Sequence, residues 1–293
     1  MNANRHSHRD THTAGSSSCP DGLPTSITAA ELHDANRRRW EAAADDWKRL
    51  RDQDGGWRRC PQEPHLAFEG QVLETVFEVI GALEGKKVCV VGSGDNYAAF
   101  ALAGSGAEVT SVDISEQQLQ DAASRASEIG LEIRFICADA ADLRSLADSN
   151  FDLVCSTNGF FVWLADLPMV FSEIARILKP GGYYVFYDVH PFQRPWKDQV
   201  KPIEMAKQYW DRDPYESCAG ETAYKSHWTL ADILNALVES GLSVRKVVES
   251  AAVNSRFWQG PSYGPGTDDS LQDWRHNPRA GLPVWLTVAA VKT

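Results

Sequence analysis

The sequence predicts an α/β fold: a three-layer, doubly wound, mostly parallel sheet of seven strands with helical and aromatic cap segments. Three observations lead there. Short β-branched and apolar runs recur between residues 88 and 291 and alternate with stretches of helical period, the pattern of a sheet covered by crossover helices. The first run, Val88 to Val91, stops at Gly92-Ser93-Gly94 and passes into a helical pattern at Tyr97 to Leu102, so strand, tight turn and helix follow in order. The chain of 293 residues is long for one such domain and short for two, and a hydrophobic content of 43% supplies a core.

Taken in order, residues 1–27 are rich in Ser, Thr, Asn and His without apolar period and predict a disordered tail. His6, His8 and His12 within it read as solvated side chains, because nothing flanks them that would preorganise a metal site. Residues 28–70 predict a helical cap. Thr28 and Glu31 form a capping box, and Trp40, Ala43, Trp47 and Leu50 recur on one face, a stripe that packs on the core. Trp57 lies outside the stripe, beside Asp54, Gly55 and Gly56, and reads equally as a core or a pocket residue.

The sheet domain spans 71–293. Gly92 and Gly94 lack a Cβ, so the backbone there can take positive φ and approach a ligand, while the first free N–H groups of the next helix point at it. The second run, Glu108 to Val112, ends in Asp113, 21 positions beyond Gly92, about the spacing at which a carboxylate meets a ribose diol. These features together predict a site for an adenosine-bearing cofactor. A nicotinamide dinucleotide would want a third glycine where Tyr97 stands, so an oxidoreductase ranks lower.

Further on, Phe135 to Ala140 places Asp139 after a third strand, and Phe151 to Gly159 forms a fourth with polar groups at its tip. Arg176 to Gly182 leads from a helix into a fifth strand, Tyr183 to Val189. An insertion over 191–226 precedes a helix opened by Thr229 and closed by Gly241, and a second insertion, 254–282, separates the strands Leu242 to Val248 and Trp285 to Val291. Both insertions are aromatic-rich and leave from the sheet edge where ligands bind, so they predict the walls of an acceptor pocket or a homodimer contact.

From about Val72 to its end the chain resembles the class I S-adenosylmethionine-dependent methyltransferases. The resemblance implies S-adenosyl-L-methionine as cofactor and an antiparallel last strand. It places Gly92, Ser93, Gly94 and Asn96 in the first glycine loop, Asp113 with Ile114 at the ribose, Asp139 with Ala140 at the adenine, and Asn158 after the fourth strand. Leu178-Lys179-Pro180-Gly181-Gly182 matches the family's turn before the fifth strand. Two positions depart from the pattern: Val90 stands where an acidic residue usually precedes the first glycine, and Asn96 replaces the last loop glycine.

Transfer of an activated methyl group asks chiefly for placement, with a base needed only if the acceptor must lose a proton. His190, at the tip of the fifth strand, is the candidate base by its unperturbed pKa near neutrality, or else a hydrogen-bonded loop histidine. Trp57, Trp163, His227, Trp258 and Tyr263 are candidates for the acceptor pocket, with core packing the competing role for Trp163. The segment Ser156-Thr157-Asn158-Gly159 lacks the acidic or Asn-Pro-Pro features of arginine- and DNA-methylating relatives, and Gly159 stands where arsenite methyltransferases carry a cysteine. The expected function is in-line methyl transfer to a small molecule through oxygen, nitrogen, sulfur or carbon, with a non-catalytic cofactor-binding protein as the alternative.

A net charge of −11, with basic clusters only at Arg37 to Arg39 and Arg58-Arg59, disfavours a nucleic-acid partner. Six scattered cysteines without a Cys-x-x-Cys pair read as reduced thiols in a cytoplasm, and no run of about 18 apolar residues suggests a membrane span.

Overall fold

A computed structural model describes residues 27–197, 203–217, 222–259 and 268–293. The tail expected over 1–27 lies, apart from its last residue, outside the described residues, as does Tyr263. The chain opens with a long helix, α1 (Ala29–Asp54), and a short one, α2 (Val72–Ile80). Then come β1 (Lys87–Val91), α3 (Tyr97–Gly104), β2 (Glu108–Asp113), α4 (Glu116–Glu128), β3 (Ile133–Cys137), β4 (Phe151–Ser156), α5 (Leu167–Ile177) and β5 (Leu178–Val189). A small hairpin, β6 (Tyr215–Ser217) and β7 (Ala223–Lys225), precedes α6 (Leu230–Glu239), β8 (Leu242–Ser250), α7 (Arg256–Gln259) and β9 (Trp285–Lys292).

Seven strands form one sheet in the order β3-β2-β1-β4-β5-β9-β8. The pairings from β3 through β5 are parallel, and β9 runs antiparallel to both its neighbours. The chain moves outward from β1 to β2 and β3, then crosses back to β4, so the reversal of winding lies between β1 and β4. Doubly wound sheets bind ligands at that reversal, outside the carboxyl ends of the strands.

Alternation along β1 shows how the core is built. Val88 and Val90 face a cluster with α2 and α3 that holds Phe100, Leu102, Trp57 and Trp285. Cys89 and Val91 face the other side, against Phe161, Phe171, Ile174, Tyr184 and Phe186. Val88 to Val91 are all fully buried, as expected of a parallel strand covered on both faces, and only Lys87 at the start of β1 is exposed.

Two elements differ from expectation. The turn expected before the fifth strand is instead the irregular start of β5: Leu178 pairs with Phe151, the register shifts, and Gly181 supplies positive φ of 77° at the kink. In α1 the capping box forms, with Glu31 N–H donating to Thr28 Oγ1 at 3.3 Å, but the buried residues are Leu32, His33, Ala35, Asn36 and Ala44. Trp40, Ala43 and Trp47 are half-buried, and Leu50 is exposed. The helix lies across α4 and β7 and meets loops through polar groups, so an apolar stripe alone does not set its inner face.

Among the described residues no helix is long and apolar enough to cross a membrane.

Candidate cofactor and acceptor site

The glycine turn sits at the carboxyl end of β1. Gly92 and Gly94 take positive φ of 66° and 49°, conformations that favour glycine. A Cβ on Gly94 would meet nothing within 4 Å, so this backbone borders open space. A Cβ on Gly92 would stand 2.3 Å from the Phe160 ring, so Gly92 is required by packing of the loop after β4 rather than by ligand access.

Ser93 and Asn96 do not point their side chains at the cleft. Both are buried: Ser111 on β2 donates its hydroxyl to Asn96 Oδ1 and lies 2.8 Å from Ser93 Oγ, whose own hydroxyl can donate back to it, while Asn96 Nδ2 donates to Gly94 O at 2.8 Å. Asn96 also carries the left-handed φ of 64° that a glycine would otherwise supply. The side chains of these residues brace the turn from the sheet side, which leaves the backbone of the turn as the part that borders the cleft. The polar side chains find a hydrogen-bonding partner in Ser111 that the linear pattern does not reveal.

Asp113 ends β2 beside the turn, accepting from Gly94 N–H at 2.7 Å and Ser115 N–H at 3.0 Å. Burial pushes its carboxyl above the usual range, and the N–H groups of Ser115, Gly94 and Ile114 pull it back. One strand further out, half-buried Asp139 accepts from His33 Nδ1 at 2.8 Å. His33 Nε2 accepts from Ala165 N–H at 2.9 Å, which places the ring proton on Nδ1. Ala140 is buried behind Asp139, Ile114 is half-buried beside Asp113, and Asn158 is exposed on the loop after β4.

The sequence reading missed the residues that α1 brings over this edge. Besides His33, Asn36 donates from Nδ2 to Trp163 O at 3.0 Å and Tyr224 O at 2.9 Å, and accepts from Tyr224 N–H at 2.7 Å. Glu41 accepts from the N–H of Glu116 at 2.6 Å, capping α4. Arg51 bonds Asp95 on the glycine loop at 3.0 Å and stacks over Trp47 and Tyr97. His33, Asn36, Trp40, Ala44 and Trp47 recur at helical spacing, a signal that counting polar residues along the inner face would have exposed.

The acceptor candidates part ways. Trp163 packs edge-on against Trp40 at 5.1 Å, with Lys225 Nζ 5.3 Å from its ring centre, so it stands between α1 and the hairpin. Trp57 is sealed in the core under Arg58 and Arg125, and Trp258 is buried with its Nε1 donating to Gln272 at 3.3 Å, so neither faces a pocket. Both rings are large enough to fill interior space that local sequence does not show. His227 is buried, with Nε2 3.1 Å from Tyr215 Oη and Nδ1 without a partner. Burial first, then the charges of Lys207, Arg194 and Lys225, push its pKa down to about 3.

His190 is fully buried. Its Nδ1 accepts from Phe192 N–H at 3.1 Å and its Nε2 donates to Glu249 at 2.8 Å, so neither nitrogen is offered to a substrate, contrary to its expected role as base. The insertion after β5 folds back immediately and closes over the ring.

At the ends of β4 and β5 lies a small cavity whose lining includes Phe161, Val189, Arg194, Ser226, Trp228 and Leu286. Asp188 borders it and is saturated, accepting from the N–H groups of Gly159, Phe161 and Val189 and from Arg194 Nη2 at 2.7 Å. Phe160 against Gly92 and Phe161 in the cavity wall join the glycine turn to this space. A wider hollow beside Lys87, Glu108 and Ile133 lies at the opposite ends of the strands, where doubly wound sheets do not bind ligands.

A family model for a methyltransferase domain matches residues 89–186. The chain is 30% identical over 162 residues to a ubiquinone biosynthesis O-methyltransferase of Alkalilimnicola ehrlichii, covering 55% of this chain and 62% of that one. It is 31% identical over 134 residues to a fatty-acid O-methyltransferase of Mycolicibacterium smegmatis, covering 43% and 47%. The chain thus spans less than two thirds of these relatives. Among solved structures, an S-adenosylmethionine-dependent methyltransferase from Mesorhizobium loti shares the fold with a TM-score of 0.58 at 22% identity, over 76% of this chain and 98% of that one. A geranyl diphosphate C-methyltransferase from Streptomyces coelicolor does so with a TM-score of 0.54 at 16% identity, over 75% and 78%. With its glycine turn, its strand-end carboxylates and a sheet of this order, the chain carries a match to a methyltransferase domain over residues 89–186 and shares the fold of solved S-adenosylmethionine-dependent methyltransferases.

Proposed function

We propose that this protein transfers a methyl group from S-adenosyl-L-methionine to a small-molecule acceptor. The observation that carries the reading is the cradle at Gly94, where open space adjoins backbone in a left-handed turn and the Asp113 carboxylate closes one side. In this reading Asp113 exchanges its bond to Gly94 for two ribose hydroxyls, Asp139 holds the adenine amino group, and α1 covers the cleft. The cofactor supplies a methyl group already activated on a sulfonium. The chain's own contribution is placement: holding two reactants in line removes roughly 7 to 11 kcal/mol of barrier.

A net charge of −11 supports a small molecule over a nucleic acid. The two curated relatives described above are both named as O-methyltransferases, which supports oxygen as the accepting atom. Isothermal titration with S-adenosylmethionine, S-adenosylhomocysteine and NAD tests the cofactor, and release of S-adenosylhomocysteine against an acceptor library tests transfer. Binding of NAD alone overturns the reading, and cofactor binding without turnover of any acceptor favours a binding protein.

A further inference from the structure

The cavity between Phe161 and Leu286 encloses about 20 Å³, room for roughly one water and too little for an acceptor. The opposite face of the sheet brings other groups to the same strand ends. Tyr187 on β5 and Trp285 at the start of β9 lie on the α2 side of the sheet. The segment 67–70, just before α2, folds over them. Ala67 O accepts from Tyr187 Oη at 3.5 Å, and Phe68 packs edge-on against the Tyr187 ring at 6.4 Å. A Cβ on Gly70 would stand 2.9 Å from Ser250 Oγ and 3.4 Å from Trp285 Cβ. Glu69 is thus fixed between anchored neighbours at the carboxyl end of β5.

Glu69 is half-buried, and among the described residues no hydrogen bond or ion pair reaches its carboxylate. Other carboxylates at the strand ends are occupied: Asp188 by three N–H groups and Arg194, Asp113 by Gly94 and Ser115, and Asp139 by His33. Desolvation, with no cation to offset it, raises the Glu69 carboxyl above its ordinary value and makes the ionised form a better base. Burial first, then the charges of Asp95 and Glu69, push the Tyr187 hydroxyl up, so Glu69 acts on the same hydroxyl as the residue next to Gly94. Trp285, only 4% exposed, has its ring 5.8 Å from Tyr187 and 5.3 Å from Phe257, with Nε1 buried and unpartnered. An unmet proton acceptor and an unmet donor share this face, and a hydroxyl is a group that answers both.

From the unpaired Glu69 carboxylate beside Tyr187 and Trp285 at the strand ends, we infer that the acceptor presents a neutral hydroxyl and that Glu69 takes its proton during transfer. The inference rests on the methyltransferase reading and names a proton acceptor for it. The hydroxyl donates to a Glu69 oxygen, and its own oxygen accepts from Trp285 Nε1. That oxygen forms a bond to the methyl carbon as the carbon–sulfur bond breaks and its electron pair stays on sulfur. The hydroxyl proton passes to Glu69. The charges of sulfonium and carboxylate are both lost, and the product is a methyl ether beside a neutral carboxylic acid.

The test offers phenol, 4-nitrophenol, catechol and decan-1-ol to the full chain with S-adenosylmethionine in mildly alkaline buffer, with aniline and thiophenol as controls. Release of S-adenosylhomocysteine is the readout, and at least one hydroxyl compound should be methylated. For a compound that keeps its proton, as phenol does with a pKa of about 10, Glu69→Gln should lower turnover about a hundredfold or more, and Glu69→Asp should restore part of it. 4-Nitrophenol is already an anion in that buffer, so its turnover should survive in Glu69→Gln, whereas damage to the fold would depress both phenols alike. Calorimetry should give Glu69→Gln the wild-type affinity for S-adenosylhomocysteine. In that complex near neutral pH, bound 4-nitrophenol should absorb as the neutral phenol in wild type and as the phenolate in Glu69→Gln. Equal losses on both phenols, or no loss on a protonated hydroxyl compound, overturn the inference. So does cofactor binding without transfer to any hydroxyl compound, in which case turnover of aniline or thiophenol leaves the methyltransferase reading standing. Failure to bind either form of the cofactor overturns both.

Discussion

His33 on α1 donates from Nδ1 to Asp139 at 2.8 Å, across 106 positions of sequence, and so fastens the N-terminal helix to the strand-end carboxylate proposed above to hold the adenine. The second ring nitrogen accepts from Ala165, so one side chain ties α1, the loop after β3 and the segment before α5 together.

Replacing that clasp should loosen the cover. His33→Ala is expected to cost about 1 to 2 kcal/mol of stability, as for a lost charge-assisted hydrogen bond. Amide exchange across residues 29–54 should accelerate by a similar factor, and unchanged protection there would show that α1 is held by other contacts.

The two glycines should fail in different ways. Gly94→Val places a side chain in the open space of the cleft at positive φ, so cofactor affinity should drop by about 3 kcal/mol or more while the fold survives with modest strain. Gly92→Ala drives a methyl group into the Phe160 ring, so its main effect should be a fall in melting temperature. Calorimetry and thermal melts on both variants distinguish these outcomes.

Asp113→Ala should weaken S-adenosylmethionine binding by about 1 to 3 kcal/mol through lost charge-assisted hydrogen bonds. Burial of the wild-type carboxyl already raises its pKa, so the cofactor-free protein bears a cost for ionising it. The native state then binds more protons than the unfolded chain just above the ordinary carboxylate range, and this group's contribution to stability falls as pH rises through that window. Equal cofactor affinity in mutant and wild type would remove Asp113 from the ribose.

His190 should prove structural. His190→Gln is expected to lower stability by about 1 to 3 kcal/mol, because Glu249 and the Phe192 N–H lose well-placed partners. Turnover at saturating substrate should stay within a few-fold of wild type at every pH. A large fall in kcat without a change in melting temperature would return the residue to the chemistry.

The pH dependence of stability should bear the mark of His227. Its native pKa of about 3 lies below the ordinary histidine value of 6.5, so between those limits the unfolded chain holds the extra proton and stability rises with pH. The group's slope cannot exceed about 1.4 kcal/mol per pH unit. Chemical denaturation from pH 4 to 7 should therefore show a steeper loss on acidification in wild type than in His227→Gln, and parallel curves would contradict the buried, neutral ring.

Local chemistry accounts for the strands, the glycine turn, the caps at Thr28 and Thr229, and Asp113 at the end of β2. Each of these is specified by residues within a few positions of one another, where β-branched runs, missing Cβ atoms and hydroxyl caps act directly on the backbone. The orientation of side chains at the site was set otherwise. Ser93 and Asn96 turn inward because Ser111 waits on the neighbouring strand, His190 is sealed because Glu249 lies opposite, and α1 buries polar residues because Asp139, Trp163 and Tyr224 present partners to them. A buried polar group goes where its hydrogen bonds can be met, and for these residues the partners stand 15 to 188 positions away in the chain.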